Sequence, residues 1–318
     1  MEKPIHHIGV ILADQFALMS LASATEPLRA ANLLSGKQLY KITFIAAEGT
    51  QTSSSLGLMA NGLTLAEAGY DYDLVMVAAA GNPMQYENPE LLKYLSILAS
   101  KRVDLGGISG GPVLLAKAGL LKDKRFTVHW EHYDALQEID PSFQMERNLY
   151  VIDKGRYTCA GGVAPIDMMN AIITADHGRD LAKEVNDWLI NTSVRQASDP
   201  QRAGLVEKYR VHHPSLLSAI ELMQDHLTDP LSSAQIASLS NIGERQLSRL
   251  FQRYLGKKIN QFYAEMRLEH AHLLVKQTSL PIVEIAVASG YESAAYFSQK
   301  FKTHFGYSPT SFRKKSGT

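Results

Sequence analysis

The 318-residue chain has a single cysteine, Cys159. One thiol excludes an intramolecular disulfide and a cysteine-rich zinc site, and it fits a reducing compartment. Long apolar runs are missing too. No stretch of roughly 18 apolar residues could span a bilayer, and the start Met1-Glu2-Lys3-Pro4-Ile5-His6-His7 lacks the apolar core of a signal peptide. A cytoplasmic protein with no membrane partner is expected, and nothing in the pattern calls for a metal or a cofactor. Net charge is absent as well, with 32 basic against 32 acidic residues. That balance conceals an asymmetry about Pro214: residues 214–318 hold 12 Lys+Arg against 8 Asp+Glu, and residues 1–213 hold 20 against 24. A basic part joined to an acidic one is expected when only the basic part meets phosphate.

What is present is a two-part pattern, in keeping with about two domains for this length. Strand-like apolar runs at 8–12, 41–47, 73–79, 105–108 and 157–159 alternate with helical patterns at 22–32, 89–101, 112–121 and 166–175. Such alternation predicts an α/β sandwich with a largely parallel sheet. Residues 191–213 turn to Ser, Asp-Pro, Gln, Arg and a His-His-Pro step and read as a tether. The expected division is therefore 1–190, a tether at 191–213, and 214–318. Beyond Pro214 the pattern is all helical, with a helix over 216–227 and a long one over 259–277.

Within the helical part, two stretches repeat each other. Leu231-Ser232-Ser233-Ala234-Gln235-Ile236-Ala237, Asn241-Ile242-Gly243, Leu247-Ser248-Arg249-Leu250-Phe251 and Leu255-Gly256 recur as Leu280-Pro281-Ile282-Val283-Glu284-Ile285-Ala286, Ser289-Gly290-Tyr291, Phe297-Ser298-Gln299-Lys300-Phe301 and Phe305-Gly306. The offset is 49 residues through the first helix and 50 from Leu247/Phe297 on, so one residue is gained in the turn. Each copy reads as a helix-turn-helix, at 231–255 and 280–305. Ser232 and Gln235 form a capping-box pattern. Ile236, Ala237 and Leu239 are expected to face inward, as are Leu247, Leu250, Phe251 and Tyr254. The outer face of the second helix carries Arg245, Gln246, Ser248, Arg249 and Gln252. The one-turn spacing of Arg245 and Arg249 aims both the same way, toward guanine edges or phosphates. In the second copy the corresponding face is Ala294, Ala295, Tyr296, Ser298, Gln299 and Lys302, smaller and less charged. A helical bundle with solvated polar faces is the plainer reading of one such unit; two in register favour double-stranded DNA as the partner.

Residues 214–315 resemble the AraC/XylS DNA-binding domain through Arg267-Leu268-Glu269-x-Ala271-x-Leu273-Leu274, Ile285-Ala286-x-x-x-Gly290-Tyr291, Phe297-Ser298-x-x-Phe301-Lys302 and Phe305-Gly306-x-Ser308-Pro309. The resemblance implies two helix-turn-helix units bridged by a long helix, with both recognition helices in successive major grooves.

In the first half the informative piece is Gly106-Gly107-Ile108-Ser109-Gly110-Gly111-Pro112, between an apolar strand and a helix. Its register fits Gly-x-Ser-x-Gly, the nucleophile elbow, with His129 and Glu131 downstream. One alternative is thus a hydrolase or amidase using Ser109 and His129 and carrying a DNA-binding tail, although the order Ser, His, acid departs from the hydrolase order. The longer match is with the PfpI-like domain of the class I glutamine amidotransferase superfamily, a flavodoxin-like fold. It covers residues 5–190 through the elbow with Leu115-Ala116-x-Ala118-Gly119-Leu120-Leu121, Val128-His129-Trp130, and Ala160-Gly161-Gly162-x-x-x-Ile166-Asp167. Enzymes of that superfamily carry a Cys at the elbow with a supporting carboxylate; here these positions hold Ser109 and Ser20. A serine with no strong neighbouring base is a poor nucleophile, so no catalytic residue is assigned.

The same elbow suits ligand binding. Backbone N–H groups at Ser109 and Gly110 favour a carboxylate, with Gly81 and Asn82 expected on the opposite wall. Trp130, Tyr133 and Glu131 beside His129 would suit a cationic amine, with ordinary core packing the alternative for Trp130 and Tyr133. Cys159 either faces this pocket or is a buried spectator. The expected ligand is a small nitrogenous effector, an amino acid or a betaine- or carnitine-like compound, the class to which AraC-type regulators with PfpI-like domains commonly respond. The resemblance further implies a regulator, expected to act as an activator, that dimerises through its first domain and contacts RNA polymerase.

Overall fold

The computed structural model describes residues 5–202 and 204–316; Met1–Pro4, on which the expected lack of a signal peptide partly falls, lie outside the described residues. The chain forms two compact units, Met1–Gln201 and Arg202–Thr318.

The first unit runs β1 (His6–Leu12), α1 (Leu18–Ser35), β2 (Tyr40–Ala46), β3 (Gln51–Ser53), β4 (Met59–Asn61), β5 (Leu74–Ala79), α2 (Pro89–Ser100), β6 (Asp104–Ser109), α3 (Gly111–Lys117), β7 (Arg125–Phe126), α4 (Trp130–Ile139), β8 (Gln144–Met145), β9 (Tyr150–Asp153), β10 (Arg156–Cys159), α5 (Ala164–His177) and α6 (Arg179–Trp188). Its sheet has the order β2-β1-β5-β6-β10-β9. All pairings in it are parallel except β9 with β10. The five parallel strands follow the flavodoxin-like order 2-1-3-4-5, which places ligand sites outside the carboxyl ends of the strands. Every residue of β5 is buried, as expected of a central parallel strand covered on both faces. One face packs Leu28, Met168 and Ile173 from α1 and α5. The other packs Leu95, Leu98 and Leu114 from α2 and α3. The helix after the elbow ends at Lys117, four residues short of the sequence expectation, because Gly119 turns into the left-handed region.

Residues 191–201, read as part of a tether, fold onto this unit. Leu149 N–H donates to Ala197 O at 2.8 Å, and Arg195 is held by Asp167. Downstream, Val211 is buried in the core of the second unit, behind the short helix α7 (Leu205–Tyr209).

The second unit continues with α8 (Pro214–Asp225), α9 (Ser233–Leu239), α10 (Glu244–Leu250), α11 (Ile259–Gln277), α12 (Ile282–Ala288), α13 (Ala294–Phe305) and α14 (Pro309–Ser316). Both sides of the Ser232/Gln235 capping box form, a device that contributes about 1 kcal/mol. The repeat is visible in the backbone. Asn241 and Gly290, 49 positions apart, both take positive φ, +54° and +74°. Ile242 N–H donates to Ala237 O, and Tyr291 N–H to Ala286 O, closing both first helices in the same way. The N-caps of the second helices, Gly243 and Ser293, are 50 apart, so the gained residue is Glu292. The long α11 joins the copies: Arg267 Nε donates to Ser289 O at 2.9 Å, Nη2 donates to Gly290 O, and the guanidinium lies 4.2 Å from the centroid of the Tyr291 ring.

Two expectations in the first copy fail. Tyr254, placed inward by the apolar period, is 42% exposed. Residues Phe251–Leu255 are wound as a π-helix, which turns less per residue than an α-helix, so Leu255 takes the half-buried place instead. Leu239 is 56% exposed. It ends α9, and the buried position that follows is taken by Ser240.

Candidate functional site

Two sites are built by this fold, one at the elbow and one on the helical repeat. Ser109 sits at the carboxyl end of β6 with φ +58°, the strained turn expected of an elbow. Gly110 N–H donates to Ala79 O at 2.9 Å, which places the elbow beside the Gly81–Asn82 loop. On the other side lies Gly161, where a Cβ would come 2.8 Å from Ser109 Cα, so only glycine allows the approach. The Ser109 hydroxyl makes no hydrogen bond among the described residues. Nor is His129 set up as its base. His129 caps α4, its Nδ1 accepting from Glu131 N–H at 3.2 Å. A neutral imidazole that accepts at Nδ1 carries its proton at Nε2 and has no lone pair left for Ser109. Ser20 is buried in the first turn of α1 and supplies no carboxylate.

Next to the elbow is a cavity of about 230 Å³. His129 and Trp130 line one wall, Gly161 to Ala164 another, and Arg195 and Gln201 a third. Of the sequence-read ligand residues, the structure therefore brings His129 and Trp130 to this cavity. Ser109 stands behind Gly161, while Gly110, Gly81, Asn82, Glu131 and Ser20 are not among the lining residues. Tyr133 is not part of the wall. Its hydroxyl reaches Met145 O, Arg147 covers its ring at 4.0 Å, and it packs against the α2–α3 core. Arg195 and Gln201 were missed because they lie in the stretch that reads as tether. The only signal was the polarity of the segment, which marks loops in general. A larger, shallower groove of about 740 Å³ is lined by Glu48, Glu87 and Glu90 among others and shares no residue with the elbow.

Cys159 is fully buried at the end of β10, and burial pushes its thiol up to about 12. The spectator reading predicts that native protein at pH 8 resists iodoacetamide while urea-unfolded protein is alkylated once. Stoichiometric labelling of folded protein, read by intact mass, would contradict it.

On the repeat, Leu247 and Phe251 are fully buried, and Arg245, Gln246, Ser248 and Arg249 are exposed on the opposite face. The π turn adds Arg253 and Tyr254 to the exposed residues, which the apolar spacing could not reveal. In the second copy Phe297 and Phe301 are fully buried and Phe305 half-buried, while Ala295, Tyr296, Gln299 and Lys302 are exposed and Ala294 and Ser298 half-exposed. His272 of α11 stacks on Phe312 and contacts Phe301, Phe305 and Tyr307. Burial, then Lys276, lowers its pKa.

These features define a class: a doubly wound α/β domain with a strand-elbow-helix turn at Ser109, followed by a paired helix-turn-helix domain. The DJ-1/PfpI family matches residues 6–175, and a helix-turn-helix domain family matches residues 236–315. The HTH-type transcriptional regulator GlxA of Rhizobium meliloti is 42% identical, covering 99% of this chain and 98% of that protein. The HTH-type transcriptional regulator GbdR of Pseudomonas aeruginosa is 37% identical, covering 96% and 84%. Among solved structures, an AraC family transcriptional regulator from Pseudomonas putida is 27% identical with a TM-score of 0.53, covering 58% of this chain and 99% of that one. The chain belongs to the AraC-type helix-turn-helix transcriptional regulators that carry an N-terminal DJ-1/PfpI domain. No helix among the described residues is long and apolar enough to cross a membrane.

Proposed function

We propose that this DNA-binding transcriptional regulator is an activator commanded by a small nitrogenous metabolite held in the first unit, and that it is not an enzyme. The observation that carries the reading is the elbow: Ser109 keeps the strained turn, yet its hydroxyl is hydrogen-bonded to no base among the described residues, and His129 spends its acceptor nitrogen on Glu131 N–H. A superfamily fold that keeps its concave site without activating a nucleophile is suited to recognition. The cavity is smaller than the roughly 300–1,000 Å³ of drug-sized ligand sites, which fits an amino acid or a betaine-like compound. Trp130 lines the cavity, and an indole ring there would suit the ligand's cation. DNA contacts fall to Arg245, Gln246, Ser248 and Arg249 in the first repeat and to Ala294, Ala295, Tyr296, Ser298, Gln299 and Lys302 in the second. The protein acts in the cytoplasm as a homodimer in contact with RNA polymerase. An effector can switch it only by binding its two states with different affinity.

Ser109→Ala tests the choice between sensor and hydrolase. The variant is expected to keep full induction of a reporter and the full thermal shift with ligand, about 2.7 kcal/mol at 100 times the dissociation constant. Lost induction with ligand binding intact would favour catalysis.

A further inference from the structure

The cavity wall opposite His129 comes from the last stretch of the first unit. Arg195 Nε and Nη2 both donate to Asp167 Oδ2, at 3.0 and 2.7 Å, and the Arg195 backbone N–H donates to Oδ1 at 2.9 Å. The Asp167 side chain is 2% exposed and that of Arg195 39% exposed. This fixes the plane of the guanidinium while Nη1 keeps no partner among the described residues. Six residues on, Gln201 Oε1 accepts from Trp130 N–H at 2.7 Å, and its Nε2 donates to Val128 O and Asn148 O. The segment 195–201 is thus pinned to α5 at one end and to the His129–Trp130 step at the other, with the cavity between the two pins.

We propose that Arg195, oriented by Asp167, is the anchor for the carboxylate of a zwitterionic ligand, and that the ligand thereby locks the 195–201 segment, after which the chain enters the DNA-binding unit. The proposal rests on the first unit being effector-binding. A guanidinium fork is the side chain best matched to a carboxylate. Asp167 already balances the Arg195 charge, so the cavity suits a ligand with no net charge better than a simple anion. The α5 N-terminus at Val163–Ala164 adds positive partial charge on the same side, and Trp130 receives the cationic end.

The test uses full-length protein with two probe pairs, glycine betaine against choline and L-arginine against agmatine, each pair differing at the carboxylate. Calorimetry should show at least one carboxylate-bearing probe binding roughly tenfold or more tighter than its counterpart. Because Arg195→Gln alone would strand buried Asp167, the double variant Arg195→Gln/Asp167→Asn is compared with it. Both should weaken that probe by roughly 10- to 100-fold. Hydrogen exchange across residues 191–202 should slow with the probe in wild type and not in the variants. If wild type binds none of the four, the effector reading falls, and this inference with it. If wild type binds a probe but the double variant binds it equally, or neither carboxylate-bearing probe binds tighter than its counterpart, the Arg195 anchor is overturned while the effector reading stands.

Discussion

Gly111→Ala is expected to abolish stable folding of the first unit. A Cβ at Gly111 would lie 2.0 Å from Val77 O and 2.9 Å from Val77 C, both backbone atoms of the central strand β5. No rotamer change can relieve a clash with backbone, and the strand is buried between two layers of helices. Overpacking a core typically costs about 1–3 kcal/mol because neighbouring side chains give way. Here the whole α3–β5 seam must part, so about 3 kcal/mol or more is expected, a large share of the roughly 5–15 kcal/mol that stabilises a domain. Gly204→Ala is the matched control, with nothing within 4 Å of its added Cβ. Urea titrations followed by circular dichroism should show Gly204→Ala superimposed on wild type and Gly111→Ala unfolded or shifted to a far lower midpoint. An unshifted Gly111→Ala midpoint would mean that α3 is not seated against β5 as the structure places it.

The parallel sheet was readable because 8–12, 74–79 and 105–108 are runs free of polar side chains, the signature of strands buried on both faces. The repeat was readable because the same apolar positions recur at a fixed offset. What escaped had no period to betray it. Strand β9 and the β3–β4 hairpin are short, and Tyr254 is displaced by a π turn that a pattern drawn at 3.6 residues per turn cannot anticipate. At the elbow, the Gly-rich run located Ser109, but the partners that shape the adjacent cavity are distant in sequence. Arg195 meets Asp167 across 28 residues, and Gln201 meets Trp130 across 71. Asp167 itself stood in the quoted Ala160-to-Asp167 motif without a role, since a buried carboxylate on a helix declares its function only once its guanidinium partner is placed. Tyr133, one helical turn from Trp130, shows the converse: neighbours in sequence, one at the cavity and the other in the core.

Replacing Arg245 and Arg249 together should reduce operator binding more than any other pair of surface changes in the second unit. Both side chains are exposed on α10, opposite the buried Leu247 and Phe251, so their loss leaves the packing untouched and the melting temperature unchanged. Each arginine that reads a base edge is worth about 1–3 kcal/mol, and the double variant Arg245→Ala/Arg249→Ala then loses roughly 30-fold to 10⁴-fold if the two add. The counterpart Gln299→Ala on α13 is expected to lose less, because its helix presents Ala294 and Ala295 where α10 presents charge. Salt dependence separates the two roles an arginine can take. Losing a phosphate contact lowers the magnitude of the slope of log K against log salt by about one and weakens binding to all DNA alike, whereas losing a base contact costs affinity only for the cognate site. Binding should be measured across a salt series on a selected operator and on a scrambled duplex. Equal losses on both duplexes would make Arg245 and Arg249 phosphate clamps and move base reading elsewhere on the repeat. Unchanged affinity on both would remove α10 from the interface altogether.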